Sequence, residues 1–232
     1  MNNKELKEII EDLLKQPEGL KFDFKVTLHI AECTDKSKQD GFRSEFIRDI
    51  LALANGNIGT AGQPAYLIVG AADKLDSDGK RKLQDSSHIR VTSKEILQKI
   101  NSCCRPPIPD IQTEFVDVLG KQLFVICIPP TPYLHETTQD LKLPNGKNYP
   151  KNSVFIRHGE EINIASLDES DAIRREKYLF NSQSAQNNQT NCLDVFRKKL
   201  EKLKADSALR KKATDIGAEV NVYVPLDLLE QK

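Results

Sequence analysis

The sequence has no surplus of charge of either sign: its 34 basic and 34 acidic residues balance to a formal net charge of +0. A chain that coats nucleic acid through bulk charge is therefore excluded, and any phosphate-binding surface must be a local patch. Long apolar runs are missing as well. Nothing reaches the roughly 18 residues that a membrane span requires, and the N-terminus has no signal-peptide core. Together these predict a cytoplasmic protein with no membrane partner. Cysteine is sparse and unpatterned: Cys33, Cys103, Cys104, Cys127 and Cys192 include no Cys-x-x-Cys pair. That argues against a disulfide framework or a zinc site, and for a reducing compartment. Adjacent Cys103 and Cys104 read as buried apolar side chains. The glycines at 56, 59 and 62 have no Gly-Lys-Ser/Thr beside them and precede a strand, so they read as a surface loop and not as a phosphate loop. His29, His88, His135 and His158 have no nucleophile arranged beside them in sequence, which leaves a hydrolase triad without support.

What is present is an irregular succession of helical and strand patterns. Leu6, Ile9, Ile10, Leu13 and Leu14 form one buried stripe and predict a helix over residues 3–15. A strand is expected over 20–26, then a polar stretch at 29–41 that fits neither period and reads as a surface loop. Phe46, Ile47, Ile50, Leu51 and Ala54 mark a second helix, ended by Asn55-Gly56. Ala65 to Val69 reads as a buried central strand, and the polar residues 74–90 as loop. Thr92 with Glu95 forms a capping-box pattern ahead of Ile96, Leu97 and Ile100. Strands at about 111–118 and 122–128 flank Gly120 as a hairpin. The prolines at 129–132 lead into a long loop, followed by a strand from Ser153 to Arg157 and a helix from Leu167 to about Phe180.

The fold class is thus α+β, with a mixed sheet flanked by helices over residues 1–180. Residues 181–191 are mostly Asn, Gln and Ser and read as a linker. Residues 192–232 form a small extension. In it Leu193, Phe196, Leu200 and Leu203 space as a helix, and Val220, Val222 and Val224 alternate as a strand. It is too small to bury much alone, so docking or dimerisation is expected. Its Arg197, Lys198 and neighbouring lysines are a candidate phosphate-tracking helix, the plainer reading being a solvated face.

Three acids, Glu18, Asp23 and Asp73, stand at the ends of apolar strand-like runs, where a fold can gather carboxylates around a divalent ion. Alternation along 20–25 puts Leu20, Phe22 and Phe24 on one face and Lys21, Asp23 and Lys25 on the other, which is expected to meet solvent. On the residues alone, an ordinary solvated strand edge explains the same pattern.

In order and spacing, Phe22-Asp23-Phe24-Lys25, Ala52-Leu53-Ala54-Asn55, Ile68-Val69-Gly70-Ala71-Ala72-Asp73, Ile126-Cys127-Ile128-Pro129-Pro130 and Val154-Phe155-Ile156-Arg157-His158-Gly159 resemble the Schlafen-type AlbA-like domain. The resemblance covers roughly residues 5–170. It implies a nucleic-acid-binding α+β module found in bacterial regulators and, as a duplicated pair, in the Schlafen proteins. Some of those are endoribonucleases that cut transfer or ribosomal RNA with three acids. By that resemblance Glu18, Asp23 and Asp73 are the candidate catalytic and metal-binding residues, with Mg²⁺ or Mn²⁺ as cofactor. Asp23 stands where the family usually has Glu, and Ala72 where Asp is common. Lys21, Lys25, Arg105, Arg157, His158, Arg197 and Lys198 are the candidate nucleic-acid contacts, RNA being favoured and DNA allowed. The Schlafen pair builds a two-lobed trough, so a single lobe is expected to act as a homodimer. The alternative implied is a non-catalytic module that binds DNA or a partner protein in regulation or defence.

Overall fold

In a computed structural model, residues 3–32 and 35–183, together with Lys198, are described. Contacts divide the chain into two units, Met1–Ser182 and Gln183–Lys232. The expected helix and strand of the extension, and Arg197 with them, lie outside the described residues, while Lys198 is an exposed helical residue.

The first unit is built on a four-stranded mixed sheet. Helix α1 (Asn3–Leu13) leads to strand β1 (Phe22–Lys25), a single helical turn α2 (His29–Glu32) and the long helix α3 (Lys36–Asn55). Strand β2 (Ala65–Val69) runs directly into β3 (Ala71–Leu75) and β4 (Arg81–Leu83), and helix α4 (Ser93–Asn101) follows. Next come β5 (Cys104–Arg105), β6 (Gln112–Val118) and β7 (Lys121–Ile128). Three short strands, β8 (Glu136–Thr137), β9 (Leu141–Lys142) and β10 (Asn148–Tyr149), order the proline-led segment. The unit closes with β11 (Phe155–His158), β12 (Glu161–Ile164) and a helix α5 over 167–183. The main sheet has the order β1-β2-β7-β6, with β1 parallel to β2 and the other pairs antiparallel.

Both faces of the sheet are covered, which follows from period-2 alternation in unbroken apolar strands. Ala65, Leu67 and Val69 of β2 and Phe124, Ile126 and Ile128 of β7 join a core with α3 and α4. Tyr66 and Ile68, with Leu123, Val125 and Cys127, join a second core with Leu6, Ile10 and Leu14 at α1. The β6–β7 turn is made by Leu119 and Gly120, both at positive φ (53° and 73°), the two-residue turn whose twist suits a hairpin. Thr92 and Glu95 form the expected capping box at α4. Cys103, Cys104 and Cys127 are buried free thiols.

Three local expectations are corrected. The stretch at 29–41 is not a loop, for α2 lies in it and α3 begins at Lys36. The first turns of α3 are polar in sequence, with Lys38, Gln39 and Asp40 exposed, so they carry no apolar period. They propagate from the half that is anchored in the core. Residues 74–90 contain the β3–β4 ribbon, whose Asp76 side chain accepts from the backbone of Asp78 and Lys80 and closes the turn. Most consequentially, the Lys21, Asp23 and Lys25 face of β1 is largely covered: Lys21 and Asp23 are buried and only Lys25 is partly exposed. Phe22 and Phe24 pack toward α1, while Asp23 is 2% exposed on the α3 side.

The end of α3 is tied to the rest by one side chain. Asn55, wholly buried, donates to the carbonyls of His135 and Phe155 and accepts from the His135 backbone N–H, at 2.9, 2.9 and 2.8 Å. Truncating it leaves buried backbone groups without partners, each worth about 1–3 kcal/mol. Asn55→Ala is therefore expected to lower stability by on the order of 3 kcal/mol in urea unfolding, well beyond an exposed control such as Asn145→Ala.

Candidate functional site

Glu18 lies in the turn before β1, closed by a hydrogen bond from the Gly19 N–H to the Phe22 carbonyl at 3.3 Å. That turn folds the Glu18 carboxylate back over the strand, where its Oε1 accepts from the Phe24 N–H at 3.2 Å. Its carboxyl neighbours that of Asp23 closely enough for each to shift the titration of the other. From β11, the Arg157 guanidinium reaches both acids, with Nη2 3.4 Å from Glu18 Oε2 and Nη1 3.2 Å from Asp23 Oδ1. From β1 itself, Lys25 Nζ stands 3.1 Å from Asp23 Oδ2 and 3.3 Å from Asp49 Oδ2 of α3. Asp49 in turn accepts from Arg48 Nη2 at 2.6 Å. A chain of alternating charges thus stitches the turn, β1, α3 and β11 together.

The environment separates the two carboxyls. Burial, the Asp23 charge and the contact with the Asp23 carboxyl push Glu18 up to about 7, against the pull of the Phe24 N–H and Arg157. Burial by itself raises Asp23 too, but Lys25 and then Arg157 outweigh it and hold it below the usual carboxylate range. Lys25, opposed by its own burial, is raised by Asp49 and Asp23. Two buried atoms at the centre, Asp23 Oδ2 and Arg157 Nη1, make ion-pair contacts but no well-directed hydrogen bond.

Glu18, Asp23 and Asp73 line one cleft of about 250 Å³, whose cationic side chains are Lys25, Arg48 and Lys147. Asp73 is exposed on β3, its backbone carbonyl held by Arg81. Arg81 lies over the Phe24 ring at 3.7 Å and so braces the strand that carries Asp23. The acids as placed do not fit a resident divalent ion. Among the described residues no three acidic, His or Cys side chains gather closely enough to hold one, and the two oxygens of Asp23 face Arg157 and Lys25.

The other sequence candidates scatter. Lys21 is buried, donating to the Leu53 and Ala54 carbonyls at the end of α3, and burial with nearby Lys177 brings it down to about 7. A helix C-terminus is a fitting place for such a cation, and its described hydrogen bonds are made there. Arg157 is likewise fully buried and serves the acids instead of a ligand. Arg105 is exposed and paired with Glu136 at 2.6 Å, and does not line the cleft. His158 is exposed and 2.8 Å from Glu169, which caps α5 together with Ser166. Arg48 and Asp49 were not foreseen. The signal was there: Asp49 falls between Phe46 and Leu53 at the i, i+3, i+7 spacing of the buried stripe, so an acid was aimed into the core.

The family model described as Schlafen, AlbA_2 matches residues 18–166. The chain belongs to that family. The matched span of this Schlafen AlbA_2 chain begins at Glu18 and takes in Asp23, Asp73 and Arg157. Among solved structures, it is similar to the DIP2311 protein from Corynebacterium diphtheriae, at 12% identity and a TM-score of 0.40, over 75% of this chain and 34% of that one. It therefore spans about a third of that protein's length. It is also similar to the N-terminal domain of a RecG-related protein from Nitrosomonas europaea, at 16% identity and a TM-score of 0.36, over 69% of this chain and 94% of that one. Comparison with curated proteins gives no match.

The Glu18 shift has a signed consequence. Below the ordinary value of 4.5 both folded and unfolded chains carry the proton, and the stabilisation is fully present. Between 4.5 and about 7 only the folded chain keeps it, so stability falls as pH rises through that window. Glu18→Gln removes the titration. Urea unfolding should show wild type losing stability relative to the variant as pH rises across the window, and NMR titration of the Glu18 carboxyl should give a midpoint near 7.

Proposed function

We propose that this chain binds nucleic acid, RNA in preference to DNA, and that its cleft is a candidate endoribonuclease centre with Glu18 as the proton-transfer group. The observation that carries the reading is the convergence of Glu18, Asp23 and Asp73 on one cleft with Lys25, Arg48 and Lys147. A neutral chain can grip a polyanion only through such a local set of cations. A carboxyl brought to about 7 is matched to proton transfer at neutral pH, and two neighbouring acids with separated titrations are the usual form of an acid–base pair.

In the mechanism, Lys25, Arg48 and Lys147 attract the phosphodiester. Ionised Glu18 takes the proton of a ribose 2′ hydroxyl as that oxygen attacks phosphorus. The 5′ oxygen departs and receives a proton from water, leaving a 2′,3′-cyclic phosphate and a free 5′ hydroxyl. Asp23 keeps Glu18 basic enough to act, and buried Arg157 fixes the orientation of both acids. Structured RNA such as transfer RNA is the substrate class, and a cytoplasmic homodimer provides the second wall of a trough. Mg²⁺ or Mn²⁺ is implied by the resemblance, and no step here passes through it.

One observation favours the non-catalytic reading. Asp23 is already neutralised by Lys25 and Arg157, which suits a purely structural network beneath a binding surface for DNA or a protein partner. Purified protein incubated with transfer RNA, in EDTA and in Mg²⁺ or Mn²⁺, separates the two. Cleavage should fall by about a hundredfold or more in Glu18→Gln while salt-sensitive RNA binding persists. The pH–rate profile of wild type should bend near 7, a feature that the variant lacks. Binding without any cleavage by wild type would leave the non-catalytic reading in place.

A further inference from the structure

A second cavity of about 230 Å³ abuts the cleft, sharing Lys25 and Asp73 with it. Its character is different. Where the cleft is walled by charge, this cavity carries two flat rings, His29 of α2 and Phe42 of α3, stacked with centroids 4.5 Å apart and planes inclined by 27°. Val26, 44% exposed, adds an apolar wall. The Thr27 hydroxyl sits 3.4–3.5 Å from the His29 ring nitrogens, and the Glu45 carboxylate, whose only described ion-pair partner is Arg48 at 3.8 Å, lines the same cavity.

We propose that this cavity is a nucleobase subsite, and that it takes guanine from the nucleotide whose phosphate lies in the adjoining cleft. The inference rests on the nucleic-acid reading given above and names the part of the ligand which that reading leaves unassigned. Single-stranded RNA is recognised by splaying a base onto an aromatic face and bonding its edge. Phe42 with His29 offers the face, since a base entering the cavity continues the stack that the two rings begin. Among the polar groups lining the cavity, the Glu45 and Asp73 carboxylates offer acceptors at the edge, beside the donors of Lys25 and Thr27. Guanine presents two adjacent N–H donors that match the two oxygens of one carboxylate. Uracil presents a single N–H between two carbonyls, which a carboxylate repels. The shared Lys25 puts phosphate and base on the same nucleotide.

The test uses end-labelled single-stranded oligouridylate carrying one guanine, the same strand with an abasic site at that position, and the all-uridine strand, measured by fluorescence anisotropy. Wild type should bind the guanine strand about tenfold or more tighter than the abasic one, the range expected for one stacked base. Phe42→Leu should erase that advantage while binding the abasic strand as wild type does, which also shows that the variant is folded. Glu45→Gln should reduce the preference for guanine over uridine. Equal binding of guanine and abasic strands by wild type, or a full guanine advantage in Phe42→Leu, overturns the subsite but leaves the nucleic-acid reading standing. No salt-sensitive binding of any strand by wild type overturns both.

Discussion

A guanidinium with no access to water governs this structure. Arg157 is fully buried, and a buried charge persists only where opposite charge and hydrogen-bond acceptors meet it. Glu18 and Asp23 supply the charge, and the carbonyls of Gly159 and Glu160 accept from Nε and Nη2 at 3.4 Å. Its demand fixes the fold of the turn before β1, because Glu18 meets Arg157 only if the chain doubles back over the strand. It also meets Asp23 on the α3 side of β1, where that acid is buried. Removing one partner of such a set is more damaging than the pair is stabilising, since an uncompensated charge stays behind.

The same neighbourhood shows how one helix end organises several segments. The carbonyls that α3 leaves unpaired at Leu53 and Ala54 receive Lys21 from before β1 and Lys177 from α5. Asn55 adds bonds to His135 and Phe155. Burial and the two lysines bring His135 down to about 4, so it stays neutral while bonded to Thr131 and Pro106. Glu176 of α5 caps the backbone of Gly59 and Ala61, which holds the glycine-containing loop against α5. These bonds put β11, and Arg157 with it, in register with the acids of the cleft. Scaffold and site are therefore one network, in which the orphan groups of a helix terminus are met by the elements that carry the functional side chains.

Much of the sheet and its helices could be read from periodicity. The runs Ala65–Val69 and Lys121–Ile128 are apolar at nearly every position, as strands covered on both faces must be, and the capping box at Thr92 is local chemistry. The early turns of α3 and the β3–β4 ribbon were missed, because both are polar segments that gain order from what they connect to. The acids were legible as candidates from their positions and from the family pattern. Their surroundings were not: Lys21 and Asp23 were assigned to solvent because alternation gives two faces and says nothing about which is covered.

The sequence by itself determined the α+β class, the buried strands, the absence of bulk charge and the three acids as a set. Those depend on composition, period and short spacings, which are properties of neighbouring residues. Tertiary structure alone decided that Arg157, 139 residues from Glu18, is its partner, that Lys25 and Asp49 join the same chain of charges, and that Lys21 turns inward. It also decided that one carboxyl titrates near 7 while its neighbour is held low. Titration depends on burial and on charges a few ångströms away in space, and neither distance is encoded by separation along the chain.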